Sequence, residues 1–600
     1  MRFWPAVVLS MTLVTAGSFP LAALGPAEDG AVVQAGLSAP PSSLLQDEPL
    51  GAEVRKRLGG ASAKNSDDAE VADRQALAAF YESRRDEPLW VTKTGVNIRG
   101  AAVAAELKKA DDWGLKASDF ELPAMAAASD GATELAREEL AEAEMRLSLA
   151  VLKYARYARG GRIAEPARQL SSYLDRLPQL RDPKAVLDEI SATDDPAAYL
   201  RALHPKHPQF ERLRQKYLEL LKSAAAAAEI VRIPKGPKLV PGEKHPQVAL
   251  LRKRLGVALP DSAAAYGDET QYDEALATAV REYQARSGLK EDGIVSAATR
   301  AALNDVEVSS PAKLLANMEQ WRWMPDELGA TYVWVNIPEF LIRVVKNGQV
   351  IHTERVITGL PDKQTPVFSD ELELVTFHPR WIVPDSIKVR ELYPSLARGG
   401  ATFTRQNLRL SRNGRPVDPY SVDWSQADIR YFDVHQPPGG GNVLGVLKFS
   451  FPNKHAVYMH DTPTKGLFNE SSRPFSHGCM RVRDAQKLAE IVLAEDKAWD
   501  GARVAAMVDA PVEENPITLD RKIPVHVTYF TAWVGDDGTE QSWKDVYGHE
   551  QRIKLALAGR FREIVRGPDH LAPVTYGASR YAASKNNSLE TFMSNFFGGF

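Results

Sequence analysis

The chain is expected to fold as a multidomain α+β protein, and three observations carry that expectation. Its 600 residues exceed what one hydrophobic core organises. Apolar residues recur at helical spacing through about residues 70–305. From Tyr332 onward the pattern changes to β-rich segments separated by turn residues. The apolar and charged fractions, 44% and 25%, are ordinary for globular protein. A formal net charge of -4 argues against nucleic acid as a main partner. A single cysteine is too few for a structural zinc site, and neither metal nor cofactor is expected.

Residues 1–25 read as an export signal: Arg2 precedes a mostly apolar Trp4–Val14, and small residues follow. The run is short and broken by Pro5 and Ser10, a poor membrane span, with an uncleaved anchor as the alternative. Residues 26–68, rich in Ala, Gly, Ser, Pro and Asp, read as a flexible tether. In 70–225, a helical scaffold domain, Leu147, Val151, Tyr154 and Ala155 share a helix face and Gly160-Gly161 ends that helix. No catalytic pattern appears there. A Pro/Gly linker over about 229–241 leads to a small helical unit at 242–305. In that unit Leu276, Ala279, Val280 and Tyr283 line one face, Gly288 stops the helix, Asp292-Gly293 turns the chain and Ser296 caps the next helix. This string resembles the common three-helix peptidoglycan-binding module, many copies of which serve only as spacers.

Strands are expected at Tyr332–Val345 and Val350–Ile357 around an Asn347-Gly348 hairpin turn, then at Leu372–Phe377, Val446–Phe451, Ala456–His460 and Ile523–Val534. Asp484 is placed to cap a helix carrying Leu488, Ile491 and Val492. About 385–430 is less regular and reads as an insertion or lid, 511–564 as a C-terminal extension, and 565–600 as a disordered tail.

Two stretches carry chemistry. One is Tyr458-Met459-His460-Asp461-Thr462-Pro463, where strand alternation puts Tyr458 and His460 on one face. The other is Ser476-His477-Gly478-Cys479-Met480-Arg481; if it is extended, His477 and Cys479 also share a face. A lone thiol in an exported chain is a liability unless it reacts or is deeply buried. Here a glycine, histidines and arginines surround it, as a nucleophilic thiolate requires. His460 and His477 are the candidate bases. The N–H groups of Gly478 and Cys479, or the Tyr458 hydroxyl, are the candidate oxyanion donors. Arg481 and Arg483 make the site electropositive and suited to a carboxylate. Trp381 is a candidate wall of the cleft, while His352, His378, His435, Trp321, Trp323 and Trp334 read as structural.

Residues 330–510 resemble the catalytic domain of the L,D-transpeptidases, the YkuD-type fold. The resemblance rests on His460-Asp461-Thr462-Pro463 followed by Ser476-His477-Gly478-Cys479-Met480-Arg481, and on Val356-Ile357-Thr358-Gly359, Thr365-Pro366 and Gly445 with Lys448-Phe449. Phe80-Tyr81-Glu82-Ser83-Arg84, Pro88-Leu89-Trp90, Gly160-Gly161-Arg162-Ile163 and Asn317–Trp323 are similar to the large YcbB-like subgroup, which joins scaffold and peptidoglycan-binding domains. The resemblance implies a β-sandwich-like domain in the periplasm, with peptidoglycan stem peptides and glycan as partners, a monomeric state, and the insertion as a capping lid. It implies that Cys479 attacks the diamino acid carbonyl of a tetrapeptide stem, releasing D-alanine and forming a thioester. His460 would be the base, His477 a support beside the cysteine, Gly478 an oxyanion donor, and Arg481 a contact for a stem carboxylate. Tyr458, Asp461, Ser476 and Trp381 would be further substrate contacts. Transfer to the side-chain amine of a second stem would give a 3→3 cross-link. A carboxypeptidase, an enzyme attaching protein to the wall, and a catalytically silent wall-binding protein are the competing readings.

Overall fold

A computed structural model describes residues 49–573, apart from 61–67, 125, 130, 224–230, 260–267, 287–288 and 305–309. The expected signal, most of the tether, Gly288, the alanine-rich segment 224–228 and residues 574–600 lie outside the described residues. Pro49–Pro573 belong to one compact unit.

The tether reading fails for its last residues. Leu50–Gly60 is a helix, and Val54 and Leu58, four apart on one face, are buried in the scaffold core. That core gathers on the helix Arg137–Gly160, which presents Leu147, Val151, Tyr154 and Ala155 inward. Glu144 of this helix is buried and receives the Tyr81 hydroxyl at 2.5 Å and the Trp90 N–H at 2.8 Å, while Ser148 receives the Trp90 indole N–H at 2.9 Å. The Phe80-Tyr81 and Leu89-Trp90 motifs are thus packing and hydrogen-bonding features of the scaffold.

The helix ends at Gly161, where φ is +83°. A Cβ there would collide with the Glu319 carboxylate. Glu319 Oε1 instead receives the Arg162 and Ile163 N–H groups at 2.6 and 2.9 Å. Its helix, Pro311–Arg322, leads into the catalytic region, so the glycine pair and the Asn317–Trp323 motif meet at the junction of the two domains. The small module consists of helices Pro246–Leu255, Glu274–Arg286 and Ala297–Asn304 around Leu251, Leu276, Val280 and Leu303. Ser296 caps the third, accepting the Thr299 N–H at 3.2 Å.

The catalytic region is built on nine strands: β1 Thr331–Asn336, β2 Leu341–Lys346, β3 Gln349–Gly359, β4 Phe368–Phe377, β5 Leu447–Ser450, β6 Met459–His460, β7 Pro474–Ser476, β8 Met480–Val482 and β9 Asn515–Thr528. Their order is β7-β3-β8-β6-β5-β4-β9-β1-β2, and β2 also pairs with β3. The first half of β3 binds β2 and its end binds β8, so one continuous sheet closes on itself. Asn347 and Gly348, both at positive φ, make the two-residue turn between β2 and β3. Strand β9, from the segment read as an extension, lies inside the sheet between β4 and β1. The helix Ala485–Lys497, capped by Asp484, buries Leu488, Val492 and Leu493 against the sheet.

Between β4 and β5 the chain forms a separate four-stranded sheet from Trp381–Ile382, Arg409–Arg412, Arg415–Val417 and Asp433–Gln436. It has its own core of Trp381, Phe403, Trp424, Phe432 and neighbours through Leu444. This cap meets the catalytic sheet where the cleft lies.

Candidate active site

Strands β6 and β8 pair in parallel, with Met459 opposite Met480 and His460 opposite Arg481. Just before this pairing, the Met480 N–H donates to the Tyr458 carbonyl at 3.0 Å, bringing Cys479 beside Tyr458. Alternation then puts Tyr458, His460, Cys479 and Arg481 on the face that lines a cleft of 260 Å³. Ser476, His477, Trp381, Gln364 and Glu391 line the same cleft.

Cys479 is half-buried. Burial pushes its thiol above the ordinary value, opposed by hydrogen bonds from the Tyr458 N–H and hydroxyl and by the positive charges of Lys448 and Arg481. The Trp381 side chain is hydrogen-bonded to the same hydroxyl, linking the cap to the thiol through Tyr458. Lys448, opposite His460 on β5, holds its ammonium 4.5 Å from the Tyr458 ring centre.

His460 is buried, and its Nδ1 donates to the Asp461 carbonyl 2.5 Å away. The proton therefore sits on Nδ1, which leaves Nε2 a lone pair. Burial first, and the Arg481 charge second, lower its pKa to about 3, so the ring is neutral at physiological pH.

Residues 477–479 form a bend, not the extended run considered from sequence, because Gly478 adopts φ +113°. The Thr365 hydroxyl holds the Gly478 carbonyl at 2.8 Å. His477 is directed to the cap: its Nε2 lies 2.7 Å from Glu391 Oε1 and 2.5 Å from Lys363 Nζ, and Lys363 pairs with Glu391 at 2.8 Å. Burial lowers its pKa despite that carboxylate. The Gly478 N–H donates to Ser476 Oγ at 3.1 Å, and that hydroxyl donates to the Cys479 carbonyl at 2.5 Å. The short side chain of Ser476 thus engages the Gly478 N–H that was expected to face a substrate oxygen.

Asp461, expected as a substrate contact, has partners within the chain. One carboxylate oxygen receives the Val446 N–H at 3.0 Å, and the other pairs with Lys465. Gly445, at φ +60°, leaves room for that carboxylate. Asp461 thus pins the start of β5 to the end of β6. Arg481 is 1% exposed, whereas Arg483 lies outside the cleft and pairs with Glu354 at 2.7 Å.

Sequence reasoning missed three contributions to the cleft. Glu391 and Lys363 carry no local signature; only Lys363's closeness to Thr365-Pro366 hinted at a role. Tyr173 comes from the scaffold, its hydroxyl held by the Gln364 N–H. Pro568, Asp569 and His570 come from the segment read as a disordered tail. His570 stacks on Tyr173 with ring centres 3.9 Å apart and bonds Ser172 at 2.8 Å and His455 at 2.7 Å. His455 in turn contacts Asp175 at 2.9 Å.

The closed sheet presents this cleft beside a helical scaffold and a small three-helix module. Residues 330–513 match the family model of the L,D-transpeptidase catalytic domain, YkuD; residues 75–216 match the scaffold domain, and residues 244–303 the "Putative peptidoglycan binding domain". The chain carries a YkuD-type L,D-transpeptidase catalytic domain together with these two companions. A Haemophilus influenzae protein named "Putative L,D-transpeptidase" is 33% identical over 245 residues, covering 41% of this chain. The match spans about half, 49%, of that relative's length. Two solved structures align over 49% of the chain: an L,D-transpeptidase from Xylanimonas cellulosilytica (14% identity, 99% of that chain, TM-score 0.16), and a fused Zn-dependent amidase/peptidase/peptidoglycan-binding domain-containing protein from Clostridium acetobutylicum (12% identity, 100% of that chain, TM-score 0.13). Likenesses at those scores carry no argument about the fold.

Proposed function

We propose that this protein is a cysteine-dependent L,D-transpeptidase that forms 3→3 cross-links between peptidoglycan stems. The observation that supports it best is the convergence of the chain's one thiol, the Tyr458 hydroxyl and the neutral His460 ring on one cleft.

In this reading His460 Nε2 takes the thiol proton, directly or through water, while Lys448 and Arg481 stabilise the thiolate. The sulfur attacks the diamino acid carbonyl of a tetrapeptide stem, forming an S–C bond and an oxyanion. The Tyr458 hydroxyl and the Cys479 N–H are the proposed donors to that oxyanion, since the Gly478 N–H is engaged by Ser476. Collapse breaks the C–N bond, and D-alanine leaves with the proton from His460. The side-chain amine of an acceptor stem then attacks the thioester and gives a proton to His460. A C–N bond forms, the C–S bond breaks and the thiolate returns. Arg481 favours a stem carboxylate, and the cap shields the thioester from water. The protein would act in the periplasm after export, with the three-helix module resting on the glycan.

Incubation of purified protein with tetrapeptide muropeptides, followed by tandem mass analysis, tests the reading. Dimers linked 3→3 are expected. Tripeptide monomers alone would indicate a carboxypeptidase instead, and an active Cys479→Ala protein would overturn the cysteine mechanism.

A further inference from the structure

Two buried hydrogen-bond acceptors of the cleft lack donors among the described residues. Gln364 is only 9% exposed, and its amide orientation is fixed by Nε2 donating to the Pro361 carbonyl at 2.9 Å. Its Oε1 is buried and has no hydrogen-bond partner among the described residues. The same holds for Glu391 Oε2, while Glu391 Oε1 is committed to His477 and Lys363. Both residues line the cleft that holds Cys479. At its rim stand the carboxylates of Asp362 and Asp569, which form no ion pair with a lysine or arginine among the described residues and are exposed. Buried acceptors without donors are costly, so such a surface favours a ligand that brings N–H groups and positive charge.

We propose that Asp362, Gln364, Glu391 and Asp569 form the subsite for the attacking amine: a primary ammonium group next to a peptide chain. The inference rests on the transpeptidase reading and deepens it. The two rim carboxylates gather the ammonium from solvent. The Gln364 and Glu391 oxygens receive its N–H groups as water is left behind; the ammonium loses one proton to solvent, and the neutral amine gives a second to His460 as it attacks the thioester. The anchoring of His570 on Ser172, Tyr173 and His455 holds Asp569 at the rim, so the scaffold and the C-terminal segment together complete this side of the cleft.

The test separates the two half-reactions in the purified chain. Intact-mass measurement with a tetrapeptide donor first shows whether the wild-type protein becomes acylated; no adduct removes the underlying reading. Aminolysis is then followed against the concentration of a free diamino acid acceptor. Asp569→Asn and Gln364→Leu are each expected to raise the acceptor KM about tenfold, with a smaller change in kcat, and Asp569→Glu to restore it. The exposed Asp569 keeps the test sound if Gln364→Leu folds poorly. Acylation with an unchanged acceptor KM in Asp569→Asn and in a folded Gln364→Leu protein would overturn the subsite while leaving the transpeptidase reading intact.

Discussion

At the residue scale, the balance between Cys479 and His460 sets the pH behaviour. Burial holds the thiol above its ordinary value, and burial with the Arg481 charge holds the imidazole down at about 3. The thiol and the neutral ring thus hold their one transferable proton across physiological pH. The acylation rate is expected to stay flat from about pH 5 to the ordinary thiol value of about 8.5, with no inflection near 6.5. A pH profile of single-turnover acylation checks this, and an inflection near 6.5 would contradict it. Cys479 and His460 were legible as candidates because their residue types and strand alternation carry the argument. The bond between the Gly478 N–H and Ser476 Oγ was not legible, because the bend depends on a positive φ that the sequence permits without specifying. The bond from the Val446 N–H to Asp461 was not legible, because the two residues adjoin different strands of the sheet.

At the element scale, the scaffold is fastened to the catalytic sheet by the segment Ser171–Arg176. Leu174 is fully buried in the catalytic core, the Val367 N–H donates to the Tyr173 carbonyl at 2.8 Å, and buried Arg176 reaches the Val527 carbonyl at 2.9 Å. Leu174→Ala is expected to cost about 2–5 kcal/mol, from lost burial and the cavity left behind. Urea unfolding monitored by tryptophan fluorescence checks it; a change under about 1 kcal/mol would mean that the docking is peripheral. The strands flanking the Asn347-Gly348 turn and the capped helices were legible, because turn and cap chemistry is local. The docking of 171–176, the central place of β9 and the packing of 568–570 were not, since each depends on partners hundreds of residues away. The helix Leu50–Gly60 escaped because its small and polar residues masked the i, i+4 pair Val54 and Leu58.

At the scale of the whole molecule, buried histidines bind scaffold, sheet and C-terminal segment together. Burial lowers the pKa of His207, His526 and His570 to about 4, and holds those of His204 and His549 well below the ordinary value. An unfolded chain protonates these rings below about pH 6.5, whereas in the folded chain His207, His526 and His570 resist until about pH 4. Their contribution is therefore complete above about pH 6.5 and is lost as pH falls toward 4, by up to about 1.4 kcal/mol per pH unit for buried His526 and by less for the partly exposed His207 and His570. Melting temperature is expected to drop steadily between pH 7 and pH 4.5; a flat profile would show that the rings are solvated in the folded state. The central claim concerns one atom, the sulfur of Cys479, and intact-mass analysis after mixing with a tetrapeptide donor tests it most directly. A single adduct equal to the donor less D-alanine, present on the folded wild-type protein and absent from Cys479→Ala, is the predicted result. An adduct that persists in Cys479→Ala, or none on folded wild-type protein, would contradict it.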